Sequence, residues 1–369
     1  MKIAIIATHS WPVPNLARTG DHFYAGLAKT LDEMGHDITF FAADGSYVPP
    51  HGRQLTMPCA NGTGTPSSYD CEQECYNKYS NILKNQDIVH DFSITKRVAE
   101  NLYNEGYRNI VSQCLGGNWT HPNPHHNIIV HSEAMRQRAL RGATDYENTP
   151  LDGPSMAGYG QKPVKDAHVV NHGIDTNFFV PTYDKKSFFL WFGRWHPVRG
   201  YKFAIQLARE TGIELVMLGE HPDRETSVYQ KSCCLEAIKL ASDLPNVNFE
   251  WLPGDPYHHE TRREFIQSAK AFLYPVQFQE PFGLMQPEAL ACGTPVIGTN
   301  YGSVPEVIEH GVTGYVVDNT IKAFTDVLDK IDNIIPAVCR ERAVKRFDYK
   351  VMAKNYLREY NMVIKGESW

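Results

Sequence analysis

"QEPFGLMQPEALACGTPVIGT", residues 279–299, sets two carboxylates, Glu280 and Glu288, on either side of a Pro-Phe-Gly turn, with an apolar run directly behind. Proline is tolerated in the first turn of a helix and little further in, so Pro287 predicts a helix opening near Gln286, with Glu288 in its first turn. Gly293 stands where a left-handed cap belongs and Pro295 blocks continuation, which limits the helix to about two turns before the strand "TPVIGT". Glu280 then lies ahead of the helix, at the end of the apolar run "AFLYPV". Between the glutamates, the backbone amides of Phe282, Gly283, Leu284 and Met285 gather at a helix N-terminus, where partial positive charge favours an anion. Carboxylates flanking an anion seat suit vicinal hydroxyls on both sides of a phosphate, the layout of a nucleotide-sugar. The plainer alternative has Glu288 stabilising the helix dipole, worth a few tenths to about 1 kcal/mol, and Glu280 solvated in a loop.

Upstream, "FGRWHPVRG" places Arg194 and Arg199 after a strand end on a proline-containing loop. Two cations there clamp a leaving diphosphate, because positive groups in a dry cleft stabilise charge building on a bridging phosphate oxygen. A loop of surface arginines is the other reading. Lys202, further into the following helix, is a second source of an ammonium group.

Apolar runs alternate with amphipathic segments along the whole chain. "KIAIIAT", the helical "DHFYAGLAKTLDEMG" and "HDITFFA" make the first βαβ pattern, and "SFFLWFGR" starts a second one. Such alternation predicts parallel sheets. At 369 residues the chain exceeds a single core. We therefore expect two α/β domains, residues 1–172 and 173–348, and a C-terminal helix over 349–369 whose apolar face includes Val351, Met352, Tyr356, Leu357 and Tyr360. The polar stretch from Asp44 to about Ser68 reads as a surface excursion without a core element.

Composition narrows the function. The chain is 42% hydrophobic and 21% charged, and no apolar run reaches the roughly 18 residues of a membrane span. A net charge of −6 with no Lys/Arg cluster argues against a dedicated nucleic-acid binder. The eight cysteines follow no dense framework or zinc spacing, which points to a reducing cytoplasm. Cys59, Cys71 and Cys75 are close enough in sequence to bridge or share a metal, and "HPNPHH" is histidine-rich, but a proline-broken loop seldom holds metal ligands. No metal site is expected. His90, with Asp91 beside it at the end of "DIVHD", stands at the carboxyl end of a strand, where ligands of α/β proteins bind; both are acceptor-side candidates.

Four segments together resemble the retaining GT-B glycosyltransferases of family 4 type, the group that includes sucrose synthase and bacterial mannosyltransferases. "EPFGLMQPEALACGTPVI" resembles their E-x7-E region, "GRWHPVRGYKFAIQLA" their phosphate loop, "VVNHGIDTNFF" their interdomain segment, and "GSVPEVIEHGVTGYVV" their glycine-proline-glutamate segment. They appear in the family's order. The resemblance implies two Rossmann-like domains facing a central cleft, with the C-terminal helix crossing back to the first. It implies transfer with retention, without a metal ion or other cofactor, from a nucleoside diphosphate sugar, UDP- or GDP-linked, to a hydroxyl acceptor. That acceptor is a metabolite, a glycan, a lipid or a modified nucleic-acid base.

By position, Glu280 contacts donor-sugar hydroxyls, Glu288 the ribose, Arg194 and Arg199 the diphosphate, and the amides of Gly283 and Leu284 the sugar-phosphate. Gly20 matches the first-domain glycine loop. This chain departs from the pattern where the family has lysine and it has Arg199, and where Asp21, an acid suited to an acceptor, follows Gly20. The family's histidine after the strand "RNIVSQ" is missing, and His90 is the replacement candidate. Two other classes fit the fold. A non-catalytic nucleotide- or carbohydrate-binding scaffold would keep it without the clamp, and a dinucleotide-dependent oxidoreductase would need a G-x-G-x-x-G that the first turn does not have.

Overall fold

A computed structural model describes residues 1–7, 22–46, 49–57, 68–113, 127–142, 163–224, 227–253 and 258–369. They fall into two compact units: residues up to Gly173 together with Tyr349–Trp369, and Ile174–Asp348.

In the first unit, strands β1 (Lys2–Ile6), β2 (Asp37–Ala42), β3 (Arg53–Thr56), β4 (Ile88–Asp91), β5 (Ile110–Gln113), β6 (Asn127–Val130) and β7 (His168–Val169) form one sheet. Its order is β3-β2-β1-β4-β5-β6-β7 and every pairing is parallel. Helices α1 (His22–Glu33), α2 (Ser68–Lys84), α3 (Arg97–Asn104) and α4 (Glu133–Arg141) connect it. Side chains alternate across a strand, and β1 shows the consequence. Ile3 and Ile5 join Leu27 and Leu31 of α1 on one face, while Ala4 and Ile6 join Leu83 of α2 and Val98 of α3 on the other. Both faces are dry, hence the unbroken apolar run of β1. The stretch after Asp44 does contain a core-associated element: Arg53–Thr56 pairs with β2 as an edge strand. Its polar sequence, RQLT, hid it, since an edge strand needs no continuous apolar run.

In the second unit, β8 (Phe189–Phe192), β9 (Leu215–Gly219), β10 (Val247–Trp251), β11 (Ala271–Tyr274), β12 (Val296–Thr299) and β13 (Gly314–Val317) form a parallel sheet in the order β10-β9-β8-β11-β12-β13. Its helices are α5 (Tyr201–Thr211), α6 (Val228–Leu240), α7 (His258–Ser268), α8 (Met285–Ala291), α9 (Val304–Val307), α10 (Ile321–Thr325) and α11 (Pro336–Phe347). The chain winds outward from β8 in one direction and resumes beside it at β11, winding the other way. The loops that leave the carboxyl ends of β8 and β11 therefore stand at the point where the strand order reverses, the place where open α/β sheets bind ligands.

Helix α12 (Tyr349–Ile364) packs on the first unit, burying Met352, Ala353, Tyr356, Tyr360 and Val363 against the α1 face of the sheet. Ala353 and Val363 complete this face; Val351 and Leu357 are half-buried, and Leu357 packs against the same cluster. The contact is close at Gly26 of α1, where a Cβ would collide with the ring of Tyr349. Gly26→Ala is therefore expected to cost about 1–3 kcal/mol, as overpacking does, read as a lower denaturant midpoint for the first unit; an unchanged midpoint would contradict this packing.

Candidate functional site

The loop after β8 enters a single 3-10 turn, Pro197–Arg199, capped by the His196 ring, which accepts from the Val198 amide. It is tied to the neighbouring loop. The Trp191 indole donates to the Arg199 carbonyl at 3.0 Å, and the Gln277 amide donates to the Val198 carbonyl at 2.8 Å. Arg199 Nη1 in turn donates to Glu280 Oε2 at 2.7 Å and to the Tyr274 hydroxyl at 3.2 Å. The same hydroxyl donates to Glu280 Oε2 at 2.5 Å. Burial first, and then the Glu280 charge, hold the Tyr274 phenol well above its ordinary range, so it remains a neutral donor. The Arg199 guanidinium also lies 5.1 Å from the Phe278 ring.

Glu280 is held from behind as well. The Ser303 amide donates to its carbonyl at 2.9 Å, and the Gly302 amide donates to the Gln279 side chain at 3.0 Å. At Gly302, φ is +57° and a Cβ would strike the Glu280 backbone, so only glycine fits. Gly283 has φ +74°, and a Cβ there would stand 2.6 Å from the Tyr274 hydroxyl and 3.1 Å from Glu280 Cγ. The Pro-Phe-Gly turn thus runs directly against the Arg199–Tyr274–Glu280 cluster. Helix α8 opens at Met285, one residue before the position read from Pro287, and Gly293 is left-handed at φ +67°. Phe282 turns into the core onto Phe347 and Met285 is buried, so both positions have only backbone to offer a ligand. Leu284 is half-buried.

Glu288 faces inward from the first turn of α8, with Oε1 accepting from Arg262 Nη2 of α7 at 3.1 Å. Burial raises its carboxyl to about 7, and Arg262 opposes that rise. Arg194 is exposed. Burial lowers the affinity of His196 for a proton, and the charges of Arg194 and Arg199 lower it further. Lys202 is turned away, pairing at 2.6 Å with Glu236 of α6.

The first-unit candidates stand differently. His90 is fully buried. Its Nδ1 accepts from the Tyr360 hydroxyl at 2.7 Å and its Nε2 lies 3.3 Å from Gln113 Oε1, which the Tyr356 hydroxyl also reaches at 2.8 Å. Gln113 Nε2 donates to the Ile129 carbonyl, which orients the amide and makes His90 Nε2 the donor. Asp91 is also fully buried, accepting from the Ser93 and Ala99 amides at 2.8 and 3.1 Å. His90 ties α12 to the sheet through Tyr360, and Asp91 accepts from the N-terminal turn of α3, so the fold itself already uses the polar atoms of both acceptor-side candidates. Gly20, Asp21 and Cys59 lie outside the described residues; Cys71 and Cys75 are buried free thiols. Among the described residues no three His, Cys, Asp or Glu side chains cluster as a metal site would, and no helix is long and apolar enough to cross a membrane.

The family model of glycosyl transferases group 1 matches residues 174–335, the stretch that contains every residue of this cluster. The chain carries a group 1 glycosyltransferase domain. Over its length it is 28% identical to a putative glycosyltransferase of Bacillus subtilis, covering 89% of this chain and 83% of that one. It is 25% identical to alpha-maltose-1-phosphate synthase of Mycolicibacterium smegmatis over 53% of this chain, and spans 57% of that relative's length. Sucrose-phosphate synthase of Thermosynechococcus elongatus has the same fold, with a TM-score of 0.77 over 99% of both chains at 17% identity. So has HepE of Anabaena, solved with UDP, with a TM-score of 0.69 over 98% of this chain and all of that one at 14% identity. The fold class is GT-B.

Within the group 1 domain, sequence reading missed Tyr274, Gly302, Ser303 and Arg262. Tyr274 ends an apolar strand, and nothing in "AFLYPV" marks its hydroxyl. Arg262 was legible only as the polar member of a buried i, i+4, i+7 face with Ile266 and Ala269.

Because the folded chain holds the Glu288 proton up to about 7 while an ordinary carboxyl releases it near 4.5, the associated stability is full below pH 4.5, falls as pH climbs to about 7, and is constant beyond. The difference between wild type and Glu288→Gln in denaturant unfolding should change by on the order of 3 kcal/mol across that window; a pH-independent difference would contradict the buried placement of Glu288.

Proposed function

We propose that the chain is a retaining, metal-independent glycosyltransferase that moves a hexosyl or pentosyl group from a UDP- or GDP-linked sugar to a hydroxyl acceptor. The observation that carries this reading is the convergence of Arg199, Tyr274 and Glu280 on the Pro-Phe-Gly turn, with Glu288 in the helix that follows. HepE, which shares the fold, is solved with UDP and with UDP-glucose. Both facts support a nucleoside diphosphate as the ligand.

The donor sugar sits before Glu280, whose carboxylate accepts from sugar hydroxyls. Tyr274 and Arg199 fix that carboxylate, so its free lone pairs keep one direction. The remaining guanidinium donors of Arg199, with Arg194 and the amides of Gly283 and Leu284, meet the diphosphate. Glu288 accepts from the ribose.

Transfer breaks the bond between C1 of the sugar and the diphosphate oxygen. The acceptor oxygen bonds to C1 on the same face, and the acceptor's proton passes to the departing phosphate oxygen. Negative charge builds on the diphosphate as it leaves, and the cationic loop stabilises it where it forms. No carboxylate acts as base.

A thermal-shift screen with UDP, GDP and their sugars should raise the melting temperature for one nucleotide family, since a ligand stabilises the state that binds it. With the donor so found, turnover should persist in EDTA and keep the donor's anomeric configuration by NMR. Glu280→Ala should reduce turnover at saturating donor about 10²–10³-fold, the cost of one transition-state contact. Unchanged turnover in Glu280→Ala would refute the donor site, and binding without transfer or donor hydrolysis would identify a scaffold instead.

A further inference from the structure

Glu288 is not the only buried charge under α8. Arg262 reaches it from α7, and the two side chains are 3% and 5% exposed. The Arg262 guanidinium lies 5.3 Å from the Phe179 ring and 5.7 Å from the Phe192 ring. The pairing is single-pronged. Arg262 Nη2 meets Glu288 Oε1, while Glu288 Oε2 and Arg262 Nε have no hydrogen-bond partner among the described residues.

A buried ion pair built for stability needs its remaining lone pairs and N–H groups satisfied, because desolvation otherwise exceeds the attraction. This one leaves a carboxylate oxygen over. An orphaned buried acceptor is a demand for a donor, and a hydroxyl is the smallest neutral group that meets it.

Other charged and polar groups of the described residues near α8 have contacts of their own, and Arg263, next to Arg262 on α7, lies 4.7 Å from the Phe178 ring. Arg340 of α11 donates to the carbonyls of Ala291, Phe179 and Thr176. Lys185 gives its ammonium to the carbonyls of Gln267 and Cys292 and to the Thr294 hydroxyl. Tyr274 of β11 serves Glu280. Cys292, just past the end of α8, is a thiol that burial keeps protonated, its pKa pushed up to about 12. Glu306 of α9 is half-buried, and β12 carries no ionisable side chain. Among the described residues, Arg262 is the charged group that favours the ionised form of the Glu288 carboxyl.

We infer that Arg262 is a positioning residue for nucleotide recognition: it grips one oxygen of Glu288 so that the other is held, charged and singly oriented, for a ribose hydroxyl. The inference rests on the donor-site reading above, with the ribose as its ligand. It assigns to α7, outside the Glu280–Glu288 stretch, the control of how strongly the ribose is felt and at what pH.

The test uses the full chain with Arg262→Met and Arg262→Lys. Isothermal titration with UDP and GDP, and with their 2′,3′-dideoxy forms, is run from pH 6 to 8, alongside carbon-13 NMR titration of the Glu288 carboxyl assigned with Glu288→Gln. In wild type, affinity for the ribonucleotide should rise with pH to a plateau above about 7, because the ionised carboxylate is the better acceptor. Arg262→Met should weaken ribonucleotide binding about tenfold or more while leaving the dideoxy form within about twofold, and should move the Glu288 midpoint upward by about one pH unit. Arg262→Lys should restore part of both.

Equal loss for ribo and dideoxy nucleotides, or an unmoved carboxyl midpoint, overturns the inference. If wild type binds no nucleotide, the donor reading falls, and the ribose role assigned to Arg262 falls with it. The NMR titration of Arg262→Met then still reports whether Arg262 sets the Glu288 charge.

Discussion

Arg199 and Glu280 come from loops that follow different strands, β8 and β11, and meet at 2.7 Å in a largely buried setting. Neither charge could be taken out of water at such a place without the other, since an unpaired buried ion costs several kcal/mol. The pair therefore dictates what surrounds it. The Pro197–Arg199 turn must pack on residues 275–278, Tyr274 must supply a neutral hydroxyl, and the chain at Gly283 and Gly302 must come closer than any side chain allows.

This placement follows from the winding of the second sheet. Strands β8 and β11 are neighbours although the chain visits β9 and β10 between them, so their carboxyl-end loops lie side by side where the strand order reverses. Each glutamate of the 279–299 stretch then acquires an arginine from outside it: Glu280 has Arg199, and Glu288 has Arg262. Carboxylates fixed by cations are acceptors of set direction, matched to hydroxyls and not to a further anion. Arg194 stands on the exposed side of the loop after β8, where its charge, with that of Arg199, lowers the affinity of His196 for a proton.

Much of this was legible in the sequence. Proline and glycine punctuate "PFGLMQPEALACGTP" so firmly that the short helix, its left-handed end and the position of Glu280 ahead of it follow from backbone sterics, with an error of one residue at the start. Unbroken apolar runs such as "FFLWF" similarly report strands buried on both faces. What was hidden depends on long-range partners. Arg199 reads as a free phosphate clamp until Glu280, far away in sequence, is seen to occupy one of its nitrogens. His90 and Asp91 have the spacing of a strand-end site, yet α12 and the start of α3 consume their hydrogen bonds. The strand Arg53–Thr56 has no apolar period because an edge position does not require one.

The central claim is that the Arg199–Tyr274–Glu280 cluster, the Pro-Phe-Gly turn and Glu288 together hold a nucleoside diphosphate sugar. A crystal structure of the chain soaked with UDP-glucose or GDP-mannose tests it most directly. The account predicts density with sugar hydroxyls on Glu280, the diphosphate within hydrogen-bonding reach of Arg199 and Arg194, and the ribose on Glu288. A nucleotide bound elsewhere, with the Arg199–Glu280 pair untouched by any part of it, would contradict the account.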